Sequence, residues 1–257
     1  MRERVWTSTP SCRRAVGSKG ERLIAWTTKY IDLDTCTEEE LKIMDEATKL
    51  DRPGIRERQA MVHELAKTKG WWPSVKPLDG DYEGACLLLE KVALIHSEVS
   101  EVLEAYRVGQ METVIGEKGK PEGVPSELAD IVIRAMDLCG WLGVDLEGGM
   151  AKDGEPRMGF REHQSAHRAY FLCEKGAPRD VVLWKGMPAE QRHVPWMCCE
   201  LHACANDIPT RWPDALIRLV LLTIHIAACL NIDLESAIDL KHRFNQTRSY
   251  RHGNKLA

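Results

Sequence analysis

The hydrophobic positions along this chain recur at three- and four-residue steps over several long stretches. From Leu87 to Arg107 the apolar residues keep to this spacing, which places them on one face of a helix. The same spacing returns at residues 126–143, and residues 215–230 are apolar nearly all round. A helix that is apolar on every side is buried. The pattern therefore predicts an all-α protein with a buried helix in its second half.

Capping residues and helix breakers indicate where the helices begin and end. Ser, Thr and Asp accept hydrogen bonds from the first free backbone N–H groups of a helix, and Gly adopts the left-handed conformation that ends one. Residues 1–36 are rich in Arg, Lys, Ser and Thr with scattered apolar residues, and we expect a poorly ordered arm there. The predicted N-caps are Thr37, Ser126 and Asp145, and the predicted stops are Gly70 and Gly143.

Two pairs of acidic residues interrupt the apolar pattern of the two long helices. Glu98 and Glu101 are three residues apart, so they share a helix face about one turn apart, and Glu127 and Asp130 repeat this spacing. Like charges at this spacing repel each other unless a cation lies between them. Carboxylate oxygens are ligands that suit Mg²⁺ and Mn²⁺. The pairs therefore predict a divalent-metal site, although solvated helix faces also carry such pairs.

Composition and charge exclude several classes of protein. The 257 residues suffice for one large domain or two small ones, and the formal charge of −4 gives no basis for nucleic-acid binding. The nine cysteines include no C-x-x-C, which indicates reduced thiols rather than a disulfide framework. No apolar run reaches about 18 residues, and the first residues lack the apolar core of a secretory signal. We expect a cytoplasmic protein without a membrane span.

The segments around the acids, HSEVSEVLEAYR and VPSELADIVIRAMDLCGWLGVDLE, resemble the MazG-like family of all-α nucleoside triphosphate pyrophosphohydrolases. The E-x-x-E and E-x-x-D signature of that family maps onto Glu98, Glu101, Glu127 and Asp130. The resemblance implies that these acids bind Mg²⁺, with Mn²⁺ as a substitute. It also implies that the protein splits a (d)NTP into the (d)NMP and pyrophosphate, in control of the nucleotide pool.

The general base of such a reaction is left open by the sequence. Many members of the family carry another Glu just before the first acid pair, and this chain has Ser97 there. Glu101 and Glu104 are therefore the candidates for activating the attacking water. Glu104 could equally be a solvated acid on the helix surface.

Two further segments resemble the family and imply substrate contacts. VHELAKTKGWW is similar to the first helix of the fold, in which a His and a Trp nine residues later help to hold the base; His63 and Trp72 have that separation. Paired tryptophans after a helix also pack in cores or hinges.

DLKHRFNQTRSYRHGNK is similar to the family's last segment, which implies phosphate contacts for Lys241, Asn245 and Arg248. A solvated basic segment is the alternative.

An internal repeat divides the chain. GVDLEGGM at 143–150 matches NIDLESAI at 231–238, an offset of 88 residues, and HELAKTKG at 63–70 overlays AYFLCEKG at 169–176, an offset of 106. Shrinking offsets require gaps in loops, where insertions are tolerated. We expect a tandem duplicated helical bundle, a pseudo-dimer of MazG-like four-helix units. The predicted domains are the arm at 1–36, a unit with the metal site at 37–155 and a degenerate repeat at 156–257.

The second copy is degenerate because it has lost the acids. Glu200 stands opposite Glu98, but Ala203, Ala215 and Arg218 stand at the other three positions. We therefore expect copy one to hold the metal and copy two to supply the basic tail. A tandem chain builds the dimer internally, and homo-oligomers through the helical faces also fit. The alternative function is a catalytically weak or inactive nucleotide-binding or regulatory module.

Overall fold

The computed structural model describes residues 53–72, 82–116, 119–151, 158–172 and 194–254, without the side chains of 167–172 and 253–254. These residues belong to one compact unit that begins at Pro53. Their regular secondary structure is helical apart from one pair of two-residue strands, so the all-α prediction is confirmed. The predicted arm and the helix from Thr37 lie outside the described residues. The helices are α1 (Ile55–Thr68), α2 (Tyr82–Arg107), α3 (Val124–Leu142), α4 (Leu146–Met150), α5 (Phe160–Leu172), α6 (Val194–Arg211), α7 (Asp214–Cys229), α8 (Leu234–Thr247) and α9 (Arg251–Asn254), and the strands are β1 (Val114–Ile115) and β2 (Pro121–Glu122).

The start of α3 differs from the prediction. Ser126 is not the N-cap, because the helix already begins at Val124, after Gly123. Gly123 has φ +97°, and a side chain there would collide with the carbonyl oxygen of Glu112, so only glycine fits. Pro125 lies in the first turn, where its missing N–H is not needed. Ser126 is consequently buried inside the helix.

The predicted end of α3 and start of α4 are confirmed. Gly143 ends α3 in the left-handed conformation with φ +70°. The side chain of Asp145 accepts a hydrogen bond from the backbone N–H of Gly148 at 3.1 Å, and α4 runs for only five residues. The first helix is also slightly shorter than predicted, since α1 ends at Thr68 rather than Gly70.

Helix α3 lies at the centre of the described unit. It packs against α1, α2, α7 and α8, so its apolar residues are buried on nearly every side. Helix α7 is buried as predicted and packs against α3 as well as α5 and α6. Between α2 and α6 the rings of His96 and His202 stack at 5.0 Å, with their Nδ1 atoms 2.7 Å apart.

The front and back halves pack their helices in corresponding ways. Helix α3 contacts α1 and α2, and α7 contacts α5 and α6. Helix α8 packs on α3 as α4 packs on α7. The halves meet through α2 with α6 and through α3 with α7. No single helix in the described ranges is long and apolar enough to cross a membrane, and α7 with α8 reaches that length only as a pair bent by 115°.

Two short segments, IRERQ at 55–59 and FREHQ at 160–164, make equivalent contacts. In each segment the Arg pairs with the Asp that N-caps a later helix, α4 in the front half and α8 in the back half, and the Gln donates to the carbonyl just before that Asp. The pairs are Arg56–Asp145 and Gln59–Val144 in the front half, and Arg161–Asp233 and Gln164–Ile232 in the back half. These contacts place α1 and α5 at an offset of 105 residues. The sequence overlay of 63–70 with 169–176 uses an offset of 106, and residues 173–176 lie outside the described residues.

Candidate metal centre

Three of the four predicted acids converge where α2 packs against the first turn of α3. Carboxylate oxygens of Glu98, Glu101 and Glu127 all lie within 4.8 Å of one another. Glu98 and Glu101 share a face of α2 because they are three residues apart. Glu98 and Glu127 are buried, whereas Glu101 is exposed and lies at the solvent side of the group. The acidic group, as these three residues are called below, is therefore open to ligands from one side.

The fourth acid, Asp130, is paired with a lysine from the back half. The Nζ atom of Lys241 lies 2.6 Å from Asp130 Oδ2 and 3.9 Å from Glu127 Oε2. The same ammonium donates a hydrogen bond to the carbonyl oxygen of Pro121 at 3.2 Å. Lys241 is only 2% exposed. The structure thus places Asp130 beside the acidic group but directs its carboxylate to a protein cation.

Burial sets the protonation of the two acids on α3. Burial raises the pKa of Glu127 to about 7, although the positive charge of Lys241 acts to lower it. The negative charges of Asp130, Glu101 and Glu98 also raise this pKa. Burial likewise raises the pKa of Asp130 to about 6, again opposed by Lys241. Glu127 is 4% exposed, and its Oε2 atom has no hydrogen-bond partner. A buried carboxylate oxygen without a donor needs a cation or a proton.

Two arginines lie next to the acids. Arg134 Nε donates to Glu98 Oε1 at 2.5 Å. Burial lowers the pKa of Arg248, and the nearby positive charge of Arg134 lowers it further. The negative charges of Asp130 and Glu98 act to raise it. Arg248 therefore lies close enough to Asp130 and Glu98 to interact with their charges. Asn245 lies one turn after Lys241 on α8 and is half-buried.

The two candidates for the general base occupy different surroundings. Glu101 belongs to the acidic group and accepts a long hydrogen bond of 3.4 Å from Ser97 Oγ. Glu104 lies outside the group and pairs with Arg107 at 2.9 Å on the exposed side of α2. The structure therefore brings Glu101, and not Glu104, into the acidic group.

His63 and Trp72 meet at a carboxylate that the sequence did not single out. The Nδ1 atom of His63 and the Nε1 atom of Trp72 lie 2.8 and 2.7 Å from the same oxygen of Asp137. Trp72 stacks on Trp141 at 5.2 Å, and the ammonium of Lys91 lies 5.1 Å from the Trp72 ring centre. Burial raises the pKa of Asp137, opposed by its hydrogen bonds to His63 and Trp72.

A small pocket connects this aromatic cluster to the acids. It is lined by Trp72, Lys91, Arg134, Asp137 and Leu138. Arg134 faces both the pocket and Glu98, so the pocket and the acidic group are neighbours. Sequence reasoning missed Arg134 and Asp137. The available signal was their spacing, since they follow Asp130 by four and seven residues and so continue its face of an otherwise apolar helix.

The segment after α8 is fastened to the end of α1. Lys69 Nζ donates to the carbonyl oxygen of Gln246 at 2.8 Å and also to that of Arg248. Arg251 returns two hydrogen bonds, from its N–H to Lys69 O at 3.0 Å and from Nε to Gly70 O at 2.9 Å. These bonds, called the tail clasp below, hold Arg248 beside the acids.

No protein family, curated protein or solved structure matches this chain.

Proposed function

We propose that this protein is a Mg²⁺-dependent nucleoside triphosphate pyrophosphohydrolase. The observation that carries the proposal is the convergence of Glu98, Glu101 and Glu127 from two helices, with a buried oxygen of Glu127 that lacks a hydrogen-bond donor. Three carboxylates brought together by two packed helices repel one another, and this costs free energy unless a cation binds them. The resemblance to the MazG-like family supplies the reaction, which is cleavage between the α- and β-phosphates.

The donor set fits a hard divalent ion. Oxygens around Mg²⁺ at about 2.0–2.1 Å lie roughly 3–4 Å from one another. The oxygens of the acidic group lie within 4.8 Å of one another, so small side-chain movements would bring them to that distance. Glu98, Glu101 and Glu127 would hold the ion. The bound ion would neutralise phosphate charge and lower the pKa of a water molecule.

The surroundings of the acidic group suit a nucleotide. Arg134 and Arg248 lie beside the acids and carry the planar donors that match phosphate oxygens. The pocket beyond Arg134 offers the ring of Trp72 and the carboxylate of Asp137 to a base. Glu101, at the solvent side, is positioned to accept a proton from the attacking water. The products would be a nucleoside monophosphate and pyrophosphate.

We further propose that the chain arose by tandem duplication of one helical unit. The corresponding helix contacts of the two halves and the equivalent pairs of Arg56 and Arg161 support this proposal. Only the front half has kept the acids, and the back half contributes Lys241 and Arg248. One active site would then be built from both copies.

Release of pyrophosphate tests the proposed reaction. The purified chain is incubated with a panel of canonical and damaged NTPs and dNTPs in Mg²⁺, and pyrophosphate is measured. Glu98→Gln and Glu127→Gln should each lower turnover by on the order of 100-fold or more, because they remove charge from the ion's ligands. Glu162→Gln, an exposed acid on α5, is the matched control and should keep full activity.

A nucleotide-binding module without turnover is the second candidate. It is favoured by the contact between Lys241 and Asp130, since a cation of the protein already occupies one of the four acids. The same incubation distinguishes the two functions. Nucleotide binding by calorimetry without pyrophosphate release from any nucleotide would exclude the hydrolase.

A further inference from the structure

Lys241 is a buried cation with three oxygen atoms of the protein around it. It reaches from α8 to Asp130 at 2.6 Å, to Glu127 at 3.9 Å and to the carbonyl oxygen of Pro121 at 3.2 Å. An ammonium that is 2% exposed cannot be hydrated by bulk water, so these oxygens replace its hydration shell. Its position is therefore set by the fold rather than by substrate.

The charges around the acidic group balance with a single divalent ion. Glu98, Glu101, Glu127 and Asp130 carry four negative charges when ionised. Arg134 pairs with Glu98 and Lys241 pairs with Asp130, which removes two of them. One divalent ion neutralises the remaining two. Arg248, the third cation nearby, is half-buried and is available to the phosphates of a substrate.

The ammonium also lies where a second ion would be expected. In two-metal phosphoryl-transfer sites the ions lie about 3.5–4 Å apart and share carboxylates. Lys241 is close to both Asp130 and Glu127, and Glu127 is also a member of the acidic group. Asp130 and Glu127 would be the carboxylates that bind and share a second ion. Nζ of Lys241 occupies the space between them.

We propose that Lys241 takes the place of a second metal ion, so that the centre binds one divalent cation through Glu98, Glu101 and Glu127, with Asp130 serving as the partner of Lys241. This inference rests on the proposed metal centre. It assigns Lys241 a role at the metal rather than at the substrate phosphates. It also makes the positive charge at Asp130 independent of the concentration of free Mg²⁺.

Counting bound Mn²⁺ tests this inference. The full chain without nucleotide is titrated with Mn²⁺, and free Mn²⁺ is followed by electron paramagnetic resonance. We expect one ion per chain for the wild type and two for Lys241→Met, because the variant frees Asp130 to act as a ligand. Lys67→Met removes an exposed lysine of α1 and should leave one ion bound.

A double variant locates the second ion and guards against misfolding. Lys241→Met with Asp130→Asn replaces the whole buried pair by neutral groups, which proteins tolerate better than the loss of one partner. It should return to one bound ion with an unchanged Kd. Circular dichroism confirms that each variant is folded.

The outcomes separate the two proposals. Two ions in the wild type, or two in the double variant, would overturn the role of Lys241 while leaving a metal centre in place. One ion in a folded Lys241→Met protein would overturn it as well. No bound ion in the wild type would instead remove the metal centre and with it the proposed function.

Discussion

Glu127 is a buried acid of the acidic group, and its protonation is expected to affect metal binding. Its carboxylate belongs to the acidic group and lies 3.9 Å from Lys241, so under the proposed function it would be shared between a metal ion and an ammonium. Burial raises its pKa to about 7, so near neutral pH a proton and a metal ion compete for the same oxygens. Metal binding should therefore release protons and strengthen as the pH rises towards 8.

The raised pKa of Glu127 predicts how the stability of the metal-free protein depends on pH. The native state holds this proton up to about pH 7, whereas the unfolded state loses it near pH 4.5. Between these values the native state binds more protons, so the contribution of Glu127 to the free energy of unfolding falls as the pH rises. Relative to wild type, Glu127→Gln should gain on the order of 1–3 kcal/mol between pH 5 and pH 8.

Urea unfolding in EDTA measures this difference at each pH. The comparison of the two proteins cancels the shared contributions of His163, His202 and His242, whose pKa values burial lowers. A difference that stays constant with pH would show that Glu127 titrates normally. Addition of Mg²⁺ should remove the disadvantage of the wild type at high pH.

Between α1 and the segment after α8, Gly70 provides the space that the tail clasp needs. It has φ +79°, and a Cβ atom there would lie 2.2 Å from the ring of Tyr250. Alanine at this position must therefore displace the ring of Tyr250 from the end of α1, and we expect the segment that carries Tyr250 to move with it. The same segment carries Arg248, so the change reaches the candidate metal centre without touching an acid.

Gly70→Ala should loosen the tail clasp. We expect faster tryptic cleavage after Arg248 and lower pyrophosphate release, with the number of bound Mn²⁺ ions unchanged. Gly109→Ala is the matched control, since Gly109 has the same φ of +79° but no atom within 4 Å of the added Cβ. It should cost only about 1 kcal/mol of stability from the backbone conformation. Equal cleavage rates in the two variants would contradict the clasp.

The helices that carry the acids were predictable because their signals are local. Periodic apolar residues placed α2, α3 and α7 to within a few residues, and the spacing of Glu98 and Glu101 placed both on one face. The pairing of Lys241 with Asp130 was not predictable in this way. It depends on how α8 packs against α3 and β2, far along the chain. The prediction of Ser126 as an N-cap was wrong for a local reason, because Gly123 and Pro125 start α3 two residues earlier.

The whole molecule is held together across its halves by buried charges as well as by the core. Arg58 on α1 is 4% exposed and pairs with Glu235 at 2.8 Å and with Asp239, both on α8. It also donates to the carbonyl oxygen of Pro53 at 2.9 Å. Because α8 carries Lys241, this contact fixes the helix that reaches into the candidate metal centre.

Arg58→Met should destabilise the described unit by about 1.5–3 kcal/mol, because it removes charge-assisted hydrogen bonds from the buried Glu235, which keeps Arg161 as a partner, and from the half-buried Asp239. Arg56→Met is the control, since Arg56 is 53% exposed and its partner Asp145 is 49% exposed. An exposed pair of this kind contributes at most about 1 kcal/mol. Chemical denaturation at pH 7 measures both. A similar small loss in the two variants would show that the buried pair does not hold α1 to α8.

The position of Lys241 in the chain has a consequence for synthesis. The ribosome produces Glu98, Glu101, Glu127 and Asp130 well before it produces Lys241. A nascent chain therefore holds Glu127 and Asp130 without their lysine until translation has passed α8. If the protein acts on nucleotides as proposed, its centre is completed only when that late helix has docked.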